Sequence, residues 1–258
     1  MVFTGEELGG LIGQYLWPFV RIAAFVTAFP VFSSNFIPVQ IRLVVAMALT
    51  IAIVPMVPAV PQIDPLSMEG FILVIQQVLI GVSMGFVFHL VFSAFIIGGQ
   101  IIAMQMGLGF STMIDPVNGS QAPVLSMMFL IMVTLFFLAL DGHLAITRMV
   151  SDSFHFLPIG LEGVDRSVFR QIVDWGSEMF KGALMISLPA VTALLLVNIA
   201  LGVMGRAAPQ LNIFAVGFSI TIAGGFYIIL LTLPMMLNNF NNLSLSAMEV
   251  VKAVGKVN

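Results

Sequence analysis

The sequence predicts an all-α, polytopic membrane protein built of long hydrophobic helices. Of its 258 residues, 60% are apolar and only 8% are charged, whereas a soluble domain carries about 25% charged residues. The uncharged stretches fall at residues 22–41, 43–63, 70–114, 116–140, 182–205 and 207–248. Since about 20 apolar residues cross a bilayer, these stretches predict about six hydrophobic helical segments, and the third and the last exceed one crossing.

The first two segments are bounded by proline. Segment one is predicted over residues 6–29 and ends where Pro30 removes a backbone donor. Segment two begins near Pro38, because proline is favoured in the first turn of a helix. It ends in prolines at positions 55, 58, 61 and 65, a spacing that favours an extended, stiff connection.

The third segment, residues 66–104, contains no proline. It would form about 60 Å of helix, roughly twice the thickness of the hydrocarbon core of a bilayer. We therefore expect it either to kink at the glycine pairs Gly81/Gly85 or Gly98/Gly99, or to extend beyond the hydrocarbon.

Three further hydrophobic segments are predicted over residues 124–146, 183–204 and 213–238. An amphipathic stretch, residues 161–181, precedes the second of these. Its charged face carries Glu162, Arg166, Arg170, Asp174 and Glu178, and its apolar face carries Val164, Val168, Ile172, Trp175 and Met179. This pattern is typical of a helix at the membrane interface, and the alternative is a helix that docks on a partner subunit. We expect residues 1–258 to form a single subunit.

The stretch between segments three and four, residues 105–123 (QMGLGFSTMIDPVNGSQAP), predicts a structured loop. It holds three glycines and two prolines, Gly107, Gly109, Gly119, Pro116 and Pro123, which are incompatible with a regular helix. Irregular backbone cannot face lipid, because its N–H and C=O groups would have no partners there. We therefore expect this central loop to be packed in protein or to line a watery cavity.

Composition argues against most kinds of chemistry. The chain has no cysteine, its three histidines are scattered, and its net charge of −3 does not suggest nucleic-acid binding. Ser111 has no assignable base or acid partner. The first basic residue is Arg21, so no cleavable signal peptide is expected. We expect no enzymatic activity, no cofactor and no metal site.

Arg206 is a single charge between two apolar runs, in GVMGRAAPQLN. Ionisable residues near a membrane are costly and often functional. Gln210 and Asn212 can bond the backbone groups that Pro209 leaves free. These four residues predict a polar corner that supports assembly, and the alternative is that Arg206 anchors the chain at the lipid headgroups.

Three motifs occur in order along the chain. The first is Arg21 followed by AFPVFSSNFIP and Arg42, the second is QMGLGFSTMIDP, and the third is GVMGRAAPQLNIFAVGF at residues 202–218. Together they resemble the FliR/SctT export-gate family of type III secretion, and the resemblance extends over essentially the whole chain. We lean to the flagellar rather than the virulence branch on overall resemblance.

The resemblance implies a non-enzymatic core component of the flagellar type III export gate, in the bacterial inner membrane at the flagellar basal body. Members of this family assemble with FliP and FliQ into a helical stack of α-hairpins around a closed channel for unfolded flagellar proteins, and FlhB and FlhA are further expected partners. The central loop is implied to be a plug. Its residues here are Gly107, Leu108, Gly109, Phe110, Ser111, Asp115 and Pro116.

The main rival hypothesis is a secondary transporter of a small solute. Such proteins carry acidic groups within the membrane and are usually built from two repeated halves. The apolar segments hold almost no acid, and no repeat is evident. A membrane enzyme is the other rival, and it would need a nucleophile, a base or a metal cluster, which the sequence does not suggest.

Overall fold

The computed structural model describes residues 5–34, 37–109, 112–114, 121–161, 166–207 and 213–253. The helices are α1 (Gly5–Ala28), α2 (Pro30–Ser33), α3 (Val39–Ile53), α4 (Met68–Gln105), α5 (Val124–Ala139), α6 (Gly142–Phe156), α7 (Arg166–Ala207) and α8 (Ile213–Ala253). Within these described ranges, the only sheet is a short hairpin of β1 (Thr112–Ile114) and β2 (Gln121–Pro123). The predicted all-α fold class is confirmed, and each predicted hydrophobic segment is helical.

Four helices in the described part of the chain are long and apolar enough to cross a membrane. They cover Val39–Met56, Met68–Gln105, Arg170–Ala207 and Val216–Ala253. The pair formed by α5 and α6 would make a fifth, although it is bent by 71° at its break. The chain is therefore a membrane protein.

Proline sets the ends of the early helices, as predicted. The first helix ends at Ala28, and Pro30 opens α2. Pro38 is the N-cap residue of α3, which ends at Ile53 and continues as a short 3-10 turn. The connection between α2 and α3 is held by Arg42, whose guanidinium donates to the carbonyl oxygen of Ser34 at 2.7 Å and to that of Ile37 at 3.2 Å.

The long third segment forms α4, one uninterrupted helix of 38 residues. Glycines of both pairs allow close helix packing. An added Cβ at Gly81 would overlap the carbonyl oxygen of Arg21 in α1, and one at Gly85 would lie 2.6 Å from the Cβ of Ala28. At Gly99 an added Cβ would lie 2.9 Å from the ring of Phe129.

The fourth segment is not one helix but two. α5 stops at Ala139 and α6 starts at Gly142, with Asp141 between them in the left-handed region at φ 53°. Gly142 has no room for a side chain, since an added Cβ would overlap the ring of Phe137. A sharp turn of this kind needs a residue that tolerates positive φ, and Asp and Asn do so best after glycine.

The amphipathic stretch and the fifth segment are continuous in α7, a helix of 42 residues. Ile172 and Trp175 are buried, whereas Arg170 and Asp174 are exposed. The indole Nε1–H of Trp175 donates to the hydroxyl of Ser246 in α8 at 3.1 Å. At Trp175 the apolar face is thus covered by this chain's own last helix.

The chain divides into two compact units. The first comprises Met1–His89, Phe137–Gly176 and Ser246–Asn258. Its core includes an aromatic cluster around Phe29, whose ring centroid lies 5.5 Å from that of Phe25, 5.7 Å from that of Phe88 and 5.4 Å from that of Phe137.

The second unit comprises Leu90–Phe136 and Ser177–Leu245. Its core is organised around Phe240 of α8. This ring makes edge-on contacts with Phe92 at 6.4 Å and Phe95 at 5.9 Å, and a tilted contact with Phe136 at 6.4 Å. Edge-on and tilted pairs at these spacings are favourable aromatic geometries.

A buried arginine joins three helices of the first unit. Arg21 of α1 is fully buried, and its Nε donates to Oε1 of Gln77 in α4 at 2.7 Å. Its Nη1 donates to the carbonyl oxygen and the hydroxyl of Ser153 in α6, at 3.0 and 3.2 Å, and its Nη2 to the carbonyl oxygen of Leu157 at 2.8 Å. The guanidinium also lies 4.3 Å from the ring centroid of Phe154, within the range of a cation–π contact.

We predict that Arg21→Met destabilises the chain, because it leaves the buried oxygens of Gln77 and Ser153 without a donor. The expected loss is at least about 2 kcal/mol, or roughly 5 °C in the midpoint of thermal unfolding in detergent. Arg148→Met is the control, since Arg148 is exposed on α6. Equal midpoints for the two variants would contradict the role assigned to Arg21.

Candidate functional site: the central loop and its anchor

The central loop begins where α4 ends in a glycine cap. Gly107 has φ +80°, in the left-handed region. Its N–H donates to the carbonyl of Met104 at 3.1 Å, and the N–H of Leu108 donates to the carbonyl of Ala103 at 2.8 Å. This pair of bonds is the Schellman motif, which satisfies the last free carbonyls of a helix and needs a residue that accepts positive φ. Gly107 thus ends α4 and sets the direction in which the loop leaves it.

The end of α4 is fixed against the first half of α8. The hydroxyl of Thr221 donates to the carbonyl oxygen of Phe218 at 3.0 Å and lies 3.4 Å from that of Met106. An added Cβ at Gly225 would lie 2.6 Å from Sδ of the fully buried Met106. A side chain at Gly107 would lie 3.3 Å from the ring of Phe218. We call Gly107, Met106, Phe218, Thr221 and Gly225 the loop anchor.

The part of the loop beyond the anchor includes paired backbone. β1 and β2 are antiparallel, with Thr112 opposite Pro123, Met113 opposite Ala122 and Ile114 opposite Gln121. The sequence predicted a structured but irregular loop, and the hairpin was not foreseen. Pairing between the two strands satisfies backbone groups within the loop itself, which relaxes the requirement for outside partners.

Three of the predicted plug residues lie in the described structure. Gly107 belongs to the loop anchor, and Leu108 and Gly109 follow it, both partly exposed. The other four, Phe110, Ser111, Asp115 and Pro116, lie outside the described residues. The structure therefore brings together the base of the predicted plug with α8, a contact that the sequence did not specify.

A cavity of about 490 Å³ lies beside the loop anchor, between α7 and α8. Its lining consists of Asn198, Leu201, Gly202, Gly205, Gly217, Phe218 and Thr221. Three of the seven are glycine, and an added Cβ at Gly202 would meet nothing within 4 Å. The cavity thus borders Phe218 and Thr221 of the loop anchor.

Of the four residues of the predicted polar corner, only Arg206 lies in the described structure. Arg206 is exposed in the last turn of α7. A cation at this position interacts favourably with the negative end of the helix dipole. Pro209, Gln210 and Asn212 lie outside the described residues.

Sequence reasoning missed one feature of this region and one of the first unit. The first is the contact of Phe218 and Thr221 with the end of α4, although Phe218 closes the third sequence motif and so carried a signal. The second is the burial of Arg21, which the first motif contained but which was not singled out. Within the described residues, no group of three or more His, Cys, Asp or Glu side chains could hold a metal ion.

These features define a class of protein: a polytopic helical membrane protein whose long helices are joined by a glycine-anchored central loop. Comparison with known proteins narrows the class. The model of the family described as bacterial export proteins, family 1, matches residues 12–247. The chain belongs to this family.

Relatives with assigned names agree with the family match. The flagellar biosynthetic protein FliR of Escherichia coli strain K12 is 36% identical over 233 residues, which cover 90% of this chain and 89% of that protein. The protein of the same name from Pectobacterium carotovorum subsp. carotovorum is 37% identical over 237 residues, 92% of this chain and 90% of its own. That of Aquifex aeolicus strain VF5 is 32% identical over 239 residues, 93% and 91% of the two chains. The predicted FliR resemblance is confirmed.

We predict that Gly107→Ala loosens the loop anchor, because alanine is strained at φ +80° and its Cβ would press on Phe218. The left-handed conformation costs alanine about 1 kcal/mol more than glycine, which corresponds to roughly fivefold faster amide exchange at Leu108. Gly109→Ala is the control, since no positive φ occurs there. Unchanged protection of Leu108 in Gly107→Ala would contradict the assigned cap.

Proposed function

We propose that this chain is a single, non-enzymatic core subunit of the flagellar type III protein export gate. In this proposal it assembles with FliP and FliQ around a closed central channel, through which unfolded flagellar proteins are secreted. FlhB and FlhA are further partners, and the assembly lies in the inner membrane at the flagellar basal body. Family membership supports the export role, and the names of the curated relatives support the flagellar branch.

The loop anchor is the observation that carries the proposal. A channel plug must be held firmly at its base and still be able to yield at its tip. Gly107 caps α4, and the buried Met106 packs closely against Gly225 of α8, so the base is fixed by its cap and by α8. The glycines that follow lower the cost of changing the backbone path. The described geometry therefore suits a loop that closes a passage.

A resting export channel needs an apolar stopper, because an open conduit for unfolded chains would also conduct protons and ions. Hydrophobic constrictions block ions by excluding water. Leu108 and Phe110 supply apolar bulk in the loop, and the only formal charge in residues 105–123 is Asp115. We propose Gly107, Leu108, Gly109, Phe110, Ser111, Asp115 and Pro116 as the plug.

The exposed apolar faces of α7 and α8 support assembly within a membrane. Leu196 and Val203 of α7 and Leu230 of α8 are each more than 60% exposed in the isolated chain. Apolar patches far larger than a soluble monomer tolerates mark membrane or protein contact surfaces. In the proposal, lipid and the neighbouring gate subunits share the covering of these faces.

We predict that deletion of residues 108–116 raises resting ion conductance of the assembled gate, because the apolar stopper is lost while both flanking helices remain. The measurement is conductance of the complex in planar bilayers, together with the yield of the complex on co-purification. Leu144→Ala, which removes an exposed apolar side chain of α6 outside the faces named above, is the control. Wild-type conductance in a fully assembled deletion variant would refute the plug.

We predict that Arg206→Ala lowers the yield of the complex after co-expression with FliP and FliQ, because it removes the cation at the end of α7. The expected decrease is about twofold or more. Arg148→Ala removes another exposed arginine, from α6, and should leave the yield unchanged. If the Arg206 variant assembles as well as the wild type, the polar corner has no role in assembly.

A further inference from the structure

The first unit contains an apolar groove that includes none of the proposed plug or polar-corner residues. It lies between α1 and α3 and encloses about 630 Å³. Its lining consists of Ile12, Tyr15, Leu16, Phe19, Met47, Thr50 and Ile51. On α1 the lining residues recur at intervals of three and four, as they do on α3, so each helix contributes one continuous face.

The groove has two side-chain hydroxyls, and the one at its floor already makes a hydrogen bond. Thr50 is buried at its floor, and its hydroxyl donates to the carbonyl of Ala46 at 2.7 Å within the same helix. The remaining side-chain polar atom in the lining is the phenol of Tyr15, which is half exposed. A ligand in the groove would therefore find hydrocarbon along its walls and no free hydrogen-bonding group at its floor. Sugars, nucleotides and extended peptides need such groups.

The size of the groove limits the remaining occupants. One turn of α-helix, about 10 Å across and 5.4 Å long, fills a cylinder of about 420 Å³. The groove would thus hold about one and a half turns, so a helix that crosses a membrane could occupy it only along part of its length. Its volume instead falls in the usual range for a small apolar ligand, about 300–1,000 Å³.

The groove opens on the surface of a candidate membrane span, where lipid can supply a small apolar ligand. Its second wall, α3, belongs to the candidate span Val39–Met56. Met47 and Ile51, on this wall, are 48% and 66% exposed, so the groove opens on the apolar surface of the span. The hydrocarbon that surrounds a membrane span is lipid acyl chain. Tyr15 fits the same surroundings, because tyrosine favours positions where an apolar ring meets a polar layer.

We propose that the groove between α1 and α3 is a binding site for one acyl chain of a membrane phospholipid. The chain lies along Leu16, Phe19 and Met47, above Thr50. The site does not depend on the flagellar role, and it would give the first unit a fixed lipid where α1 and α3 leave a gap.

The test uses the full chain in phosphatidylglycerol nanodiscs that contain a trace of phospholipid with a photoreactive diazirine on one acyl chain. After illumination, labelled peptides are located by mass spectrometry. We expect peptides that contain residues 12–19 and 47–51 to be labelled more strongly than the stretch 184–196 of α7, where Leu184, Leu188 and Leu196 are exposed. Equal labelling of the groove and this reference face would overturn the proposal, because it would show only general contact with lipid.

Two pairs of variants then fill the groove or a matched position elsewhere. Thr50→Leu fills the floor, and Thr192→Leu makes the same change on α7, where the threonine hydroxyl also donates to its own helix, at 2.7 Å. Met47→Trp fills the rim, and Met204→Trp is its control, because both methionines are 48% exposed. Each methylene displaced from the groove should lower its labelling about fourfold.

The outcomes separate lipid from protein as the occupant. Loss of groove labelling in Thr50→Leu and Met47→Trp, with wild-type labelling in both controls, supports the acyl-chain site. If Thr50→Leu fails to fold, the rim pair alone decides, since Met47 lies at the surface. Unchanged labelling in Met47→Trp overturns the proposal. Complete loss of groove labelling when the chain is co-purified with FliP and FliQ also overturns it, because a protein partner would then cover the groove.

Discussion

The first unit is organised around one buried guanidinium. A fully buried charge is costly unless its donors are bonded, and Arg21 directs its donors to α4 and to the end of α6. These acceptors are more than 50 residues away along the chain, so the arginine fixes contacts that local helix formation cannot supply. The directional bonds orient the helices, and the apolar packing around Phe29 and Phe88 fills the space between them.

Glycine serves two different physical purposes along α4. In the helix interior, Gly81 and Gly85 remove side chains so that α1 can approach the backbone closely. At the C-terminal end, Gly107 supplies a positive φ that ends the helix and turns the chain into the central loop. Within the second unit, α8 supports the end of α4 through Phe218 and Thr221.

Three helices of this chain are longer than one crossing of a membrane requires. α4, α7 and α8 hold 38, 42 and 41 residues, each about twice the length that a bilayer requires. Their exposed apolar side chains need lipid or protein along much of this length. A lipid acyl chain in the groove between α1 and α3 would cover some exposed apolar side chains of those two helices without another subunit. Neighbouring subunits and lipid would cover the remaining exposed apolar side chains.

The sequence by itself determined the membrane class, the helical segments, the proline-bounded ends of α1 and α3, and the position of the central loop, because composition and helix-breaking residues act locally. It also carried the family, through three ordered motifs. Only the tertiary structure decided which helices pack on the α4 glycines, that the fourth segment turns at Asp141, and that the loop contains a hairpin. It alone revealed the partners of Arg21 and the hold of α8 on the loop. These features depend on contacts between residues far apart in the chain, and the pattern of apolar and polar residues along one segment contains no information about which distant segment will cover it.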